Sequence, residues 1–201
     1  MWLIACIKMT LKEIHEKYCL GPDGWYTTDK TTVHDYIDGY YNEEFKDPEK
    51  VTDILEIGVQ NGGSLILWHQ WFKNANITGI DVLMECIDNY KQASFGVEFS
   101  RIKIIIADAY ASRIAEQHKD NSYDYIIDDG PHSLWSMQMA IELWMPKVKK
   151  GGKLIIEDLQ HPEWFGELIS HAAKFGYEKY RTFDLRDNKG RYDDLIFELE
   201  K

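Results

Sequence analysis

The sequence predicts an α/β protein, a Rossmann-like doubly wound sheet that is mostly parallel and ends in an antiparallel hairpin. Three observations carry this. From residue 52 onward, apolar runs of strand length alternate with longer amphipathic stretches, the pattern of βαβ units. Runs such as Ile104-Ile105-Ile106 and Leu154-Ile155-Ile156 are apolar without interruption, as expected of strands covered on both faces of a parallel sheet. Near the end, two strand-like segments flank Asn188-Lys189-Gly190, a hairpin signal.

Taken in order, a helix is predicted over 11–18, after Met9-Thr10, which offers an alternative start to Met1. The first fifty residues, rich in Tyr and Asp, read as a cap over the sheet's carboxyl edge and as part of one domain with 51–201. Strands are predicted at 53–57, 77–80, 102–107, 125–127 and 153–156. Helices are predicted at 64–73, 84–92, 111–118 and 134–148, joined to the strands by right-handed crossovers. A helix at 164–175 precedes the hairpin strands at 179–184 and 194–198.

The chain has 201 residues, enough for one domain with a full core. It holds 23 Lys and Arg against 34 Asp and Glu, a formal charge of −11. That balance disfavours nucleic acid or an anionic membrane as the main partner and leaves a small-molecule substrate, with a homo-oligomer open. Lys147, Lys149 and Lys150 cluster and read as a solvated helix end. Three cysteines without a C-x-x-C motif (Cys6, Cys19, Cys86) suit a reducing cytoplasm. The apolar opening is cut off by Lys8, far short of a membrane span, and has no signal-peptide layout.

I-L-E-I-G-V-Q-N-G-G (54–63) is a strand, a tight glycine turn and a helix start, the layout that brings a ligand to backbone amides. Its G-x-x-x-G-G spacing differs from the G-x-G-x-x-G of dinucleotide binders, and a bare tight connection explains it equally well. The strand ends decide between these readings. Every predicted parallel strand ends in an acid: Glu56, Asp81, Asp108, Asp128-Asp129 and Glu157-Asp158. Ligands of open parallel sheets bind at that edge. A single terminal Asp is commonly a cap or turn former, and Asp81 and Asp108 each admit that reading. Five acidic ends crowded together require compensation by hydroxyls, amines or cations.

Asp81 is placed to accept both ribose hydroxyls of a nucleoside, Asp108 to meet an adenine edge, and Glu56 to orient an amino-acid end or the loop itself. Asp129, Glu157 and Asp158 offer hard oxygens suited to Mg²⁺ or another divalent cation. Asp128 and Asp129 point to opposite sides of their strand, so one of them is a direct ligand, and Asp129 is preferred. His132, in D-D-G-P-H, can serve as general base, where the ordinary reading of a lone His is a surface or capping residue. His161 reads as structural and His69 as a packing residue.

L-E-I-G-V-Q-N-G-G-S (55–64), G-I-D (79–81), I-I-D-D-G-P-H (126–132) and G-G-K-L-I-I-E-D-L (151–159) together resemble class I S-adenosylmethionine-dependent methyltransferases. More narrowly they are similar to the macrocin and mycinamicin sugar O-methyltransferases and the cephalosporin hydroxylase-like proteins. T-D-K-T-T-V-H-D-Y (28–36) resembles the D-K-x-x-x-H-x-Y box of the mycinamicin type. A parallel sheet finished by a hairpin is likewise the class I layout. The resemblance implies S-adenosylmethionine bound by Glu56, Gly58, Gly62, Gly63, Ser64, Asp81, Asp108, Ala109 and Asp128. It implies Asp29, Lys30, His34 and Tyr36 closing the cofactor site, Mg²⁺ on Asp129, Glu157 and Asp158, and proton removal by His132. Pro131 stands where the family usually has Ser, and no counterpart of the N-terminal auxiliary domain is expected here. The expected reaction is Mg²⁺-assisted O-methylation of a small polar acceptor, such as a sugar or natural-product glycoside. A hydroxylation ranks lower, because no two-His-one-carboxylate iron site is evident. A non-catalytic cofactor-binding protein, presenting Trp25, Tyr26, Tyr36, Tyr40 and Tyr41 to a partner, ranks lower again.

Overall fold

The structure, a computed structural model, describes residues 9–21, 24, 26–93 and 100–201. The opening up to Lys8, with Cys6, and Trp25 lie outside the described residues. The elements are α1 (Leu11–Tyr18), a π turn (Ile37–Tyr41) continued by α2 (Asn42–Glu44), β1 (Asp53–Ile57), α3 (Gly63–Trp71), β2 (Asn76–Asp81), α4 (Glu85–Ala93), β3 (Ile102–Ile106) and α5 (Ser112–Ala115). They continue with β4 (Tyr123–Asp128), α6 (Leu134–Trp144), β5 (Val148–Ile156), α7 (Trp164–Lys174), β6 (Lys179–Asp184), α8 (Arg186–Lys189) and β7 (Leu195–Glu200).

The seven strands lie in the order β3-β2-β1-β4-β5-β7-β6. The first five are parallel, and β7 runs antiparallel to both β5 and β6. The order reverses between β1 and β4, so a crevice opens at their carboxyl ends. Alternation along each strand divides the core. Ile54, Ile127 and Ile155 face one apolar layer with Leu65, Trp68 and Phe72. Leu55, Ile126, Leu154 and Ile156 face the other, with Met137, Ile141, Trp144 and Leu168.

Four sequence expectations are corrected. The helix expected over 111–118 is a single turn, Ser112–Ala115. The helix expected over 134–148 stops at Trp144, because Pro146 turns the chain into a 3₁₀ turn ahead of β5, where its missing N–H does least harm. Lys147 and Lys149 are therefore not a solvated helix end: they pair with Asp120, and with Asp53 and Asp124. The β6–β7 connection is no tight hairpin either, since α8 occupies it and ends on Gly190 at φ 75°.

The N-terminal segment does more than cover the sheet edge. Thr10 and Glu13 form a capping box that starts α1, satisfying two backbone donors reciprocally. Leu11 and Ile14 then pack with Tyr40, Tyr41 and Phe45 into the same apolar layer as Trp68. This cover explains α3, whose residues from Gly63 to Trp68 are all buried, so that it shows no polar face. Tyr36, Tyr40 and Tyr41 are buried core residues, not a partner surface.

Candidate active site

The turn after β1 is shaped by contact with the turn after β4. Gly58 has φ 87°, and a Cβ there would lie 1.9 Å from the backbone oxygen of Asp129. Only glycine takes up that backbone without strain and allows such an approach. The carboxylate of Asp81, arriving from β2, then organises the loop: Oδ2 accepts from the N–H groups of Val59 (2.8 Å) and Gln60 (2.9 Å), and Oδ1 from that of Leu83 (2.8 Å). Asp108 accepts from the N–H of Tyr110 at 2.9 Å. Both aspartates are thus turn formers, and both also line the adjoining cavity.

That cavity measures about 570 Å³, within the range of small-molecule and cofactor sites. Its wall takes in Gly58, Ser64, Asp81, Asp108, Ala109 and Asp29, together with Asp129, His132 and Asp158. Glu56, Gly62, Gly63, Asp128, Lys30, His34 and Tyr36, expected at the cofactor, are not part of the wall. Gly63 lies beneath Thr27. Asp128 points to the opposite side of β4 from Asp129 and accepts from the Tyr110 hydroxyl at 2.5 Å. Burial pushes its carboxyl up to about 7, against the pull of that hydroxyl.

Below the cavity floor sits a buried cation. Lys30 Nζ donates to Asp129 Oδ2 at 3.0 Å and to Glu157 Oε2, and lies 3.8 Å from Glu56 Oε1. Burial alone would drive the ammonium toward neutrality, but Asp129, Glu157 and Glu56 hold it well above the ordinary lysine range. Glu56 accepts from Trp68 Nε1 at 3.0 Å. Burial pushes its carboxyl up to about 7 against the pull of Lys30.

Glu157 does not join the metal-ligand group assigned to it from sequence. It is fully buried, one oxygen is held by Lys30, and the other accepts from the Tyr41 hydroxyl at 2.5 Å. Asp129 and Asp158 remain together, with the His132 imidazole beside them, one ligand atom of each lying within 4.8 Å of the others. His132 Nε2 lies 3.9 Å from Asp129 Oδ1 and 3.7 Å from Asp158 Oδ2, too far for a hydrogen bond, so the imidazole is free to meet a further group. Burial, then the charge of Asp129, pushes the Asp158 carboxyl up to about 6. His132 (φ 53°), Asp158 (φ 56°) and Gln60 (φ 46°) are three of four non-glycine residues with left-handed backbone among the described residues. Such strained conformations cluster at functional sites. His161 stands apart, packed on Trp164.

Sequence reasoning missed Tyr110 and Trp135. Both line the cavity, with ring centroids 6.1 Å apart, and Trp135 is 61% exposed. The signal that could have found them was a tryptophan three residues past His132, at the start of a helix.

A family model described as a methyltransferase domain matches residues 55–159, just over half of the chain. Mycinamicin VI 2''-O-methyltransferase of Micromonospora griseorubida is 28% identical over 153 residues, covering 70% of this chain and 36% of that protein. Demethylmacrocin O-methyltransferase of Streptomyces fradiae is 26% identical over 153 residues, with the same coverage. The chain thus spans about a third of the length of these curated relatives. Among solved structures, the MycE methyltransferase of the mycinamycin biosynthetic pathway, in complex with Mg and SAH, superposes with a TM-score of 0.68 at 22% identity, covering 96% of this chain and 55% of that one. A Methanococcus jannaschii fibrillarin pre-rRNA processing protein gives 0.62 at 18% identity, covering 76% and 67%. At these identities the likeness concerns the fold. The glycine turn and the acidic strand ends fall within the matched residues, and the chain belongs to the methyltransferase-domain family, with the class I fold.

Proposed function

We propose that the chain carries an S-adenosylmethionine-dependent O-methyltransferase activity toward a hydroxyl of a small polar acceptor, a sugar or natural-product glycoside, assisted by a divalent cation such as Mg²⁺. One observation carries this reading: the Asp129–His132–Asp158 group opens into the same cavity as the glycine turn and the strand-end acids Asp81 and Asp108. The curated relatives are by name O-methyltransferases of mycinamicin VI and demethylmacrocin, which supports a natural-product acceptor.

The residues suit both groups. The cavity has the size for an adenosyl ligand, and a Cβ at Gly58 would close up its floor. Asp81 and Asp108 keep unused lone pairs for hydroxyl and amino donors. Asp129 Oδ1 and Asp158 Oδ2 are hard donors, and Mg²⁺ is commonly held by one or two carboxylates plus waters. When bound, S-adenosylmethionine supplies an electrophilic methyl group, and the cation supplies charge stabilisation for an alkoxide. His132 Nε2, 3.9 Å from Asp129 Oδ1 and 3.7 Å from Asp158 Oδ2, takes the acceptor's proton. Trp135 and Tyr110 add aromatic surface to the same cavity.

Calorimetry with S-adenosylhomocysteine tests the first link: saturable heat is expected, and none, with or without Mg²⁺, overturns the proposal. Asp81→Ala removes the acceptor shared by three loop amides, each such charged hydrogen bond contributing about 1.5–3 kcal/mol. Cofactor affinity should fall at least about tenfold, a factor equal to roughly 1.4 kcal/mol. His132→Ala should lower kcat by about 10²–10⁴ while cation affinity holds. An unchanged rate would reject its role as base.

A further inference from the structure

We infer that the segment from Lys30 to Tyr36 is a positioning clip for the two cavity acids: Lys30 anchors one oxygen of Asp129 and Tyr36 one oxygen of Asp158, which leaves the second oxygen of each directed at His132. The inference rests on the site reading proposed above and reassigns the D-K-x-x-x-H-x-Y segment from cofactor closure to orientation of the acids.

The atoms divide cleanly. Lys30 Nζ is 3.0 Å from Asp129 Oδ2, while Asp129 Oδ1 faces His132 Nε2. The Tyr36 hydroxyl donates to Asp158 Oδ1, while Asp158 Oδ2 faces the same Nε2. Both anchors are 1% exposed and neither lines the cavity, so they act through the acids and do not touch a ligand there. Each anchor is itself fixed. Lys30 is held by Glu157, whose other oxygen accepts from Tyr41. The Tyr36 ring stacks on His34 at 4.8 Å, and His34 Nδ1 is hydrogen-bonded to Asp194 Oδ1 at 2.5 Å.

The spacing in the sequence has a local cause. The carbonyl of Asp29 accepts from the N–H groups of Thr32, Val33 and His34, and that of Lys30 accepts from Tyr36. This winds eight residues, Asp29 to Tyr36, into one compact turn, which delivers the ammonium and the phenol to neighbouring strand ends. A buried ammonium is not required for stability alone, because apolar side chains fill such space as well or better. Its use here is directional. Outer partners of this kind orient ligand carboxylates and tune cation affinity.

The test is Mn²⁺ titration of the full chain as wild type, Tyr36→Phe and Lys30→Met, followed by electron paramagnetic resonance, with S-adenosylhomocysteine affinity measured in parallel. Tyr36→Phe removes one oxygen and keeps the ring, so it remains informative if Lys30→Met does not fold. Mn²⁺ affinity should fall about 10–100-fold with cofactor affinity unchanged. Unchanged Mn²⁺ affinity in Tyr36→Phe overturns the inference, and so does a parallel loss of cofactor affinity, which would return the segment to cofactor closure. Crystal structures of wild type and Tyr36→Phe decide the matter without a cation: a displaced Asp158 supports the clip, and an unmoved one sinks it. If wild type takes up no Mn²⁺, the cation reading under Proposed function fails, and the position of Asp158 alone judges the clip.

Discussion

Gly58→Ala is expected to lower the melting temperature by roughly 4–20 °C and to abolish cofactor binding. Two costs combine. At φ 87° an alanine is held in left-handed backbone, at a cost of about 1–2 kcal/mol. Its methyl would also stand 1.9 Å from the Asp129 carbonyl oxygen. That obstacle is backbone, so it yields only if the ends of β1 and β4 separate, and overpacking of this kind costs about 1–3 kcal/mol. The Asp129 N–H donates to the Ile57 carbonyl at 2.9 Å, so the same separation breaks the link that sets the cavity floor. The control is Gly166→Ala, on α7, where a Cβ would meet nothing within 4 Å and helix propensity favours alanine. Thermal melting with cofactor titration checks both variants. A Gly58→Ala protein that melts like wild type would show that the two turns do not bear on each other.

The sheet was legible because its signal is local. Uninterrupted apolar runs mark two-sided burial, and strands 53–57 and 179–184 begin and end as the pattern indicates. Helix ends were less legible where a single residue or a tertiary contact decides them, as at Pro146. The acids of the site were readable as a set, since strand ends of an open sheet must meet at one edge. Their individual partners were not. Nothing local distinguishes Glu157 from Asp158, yet one turns into the interior toward Lys30 and Tyr41 and the other outward toward His132. The difference arises from a segment 116 to 127 residues away along the chain. Composition likewise could not show that a lysine would be buried, because burial of an ammonium becomes tolerable only once carboxylates from separate strands surround it.

Lys30→Met should therefore be the most destabilising single charge removal, at about 3–5 kcal/mol, the range for a buried pair deprived of one partner. This corresponds to a melting point lower by roughly 6–20 °C. Glu56, Asp129 and Glu157 would keep their positions with no cation among them. By contrast Lys12→Met, which removes an ion pair with Asp38 whose side chains are 57% and 51% exposed, should change stability by less than about 1 kcal/mol. The loss should also depend on pH. Burial already raises the Glu56 carboxyl from its ordinary value to about 7, and removal of the ammonium raises it further. A carboxyl raised on folding binds its proton more tightly in the folded state, so stability falls as pH climbs from about 4.5 through the raised value. Denaturant melts should accordingly show the gap between Lys30→Met and wild type widening from pH 5 to pH 8. Adding Glu157→Gln to Lys30→Met removes one orphaned charge at nearly constant volume and keeps an acceptor for the Tyr41 hydroxyl, so part of the loss should return. If the double variant is no more stable than Lys30→Met, the ammonium is not what balances the acid beside it.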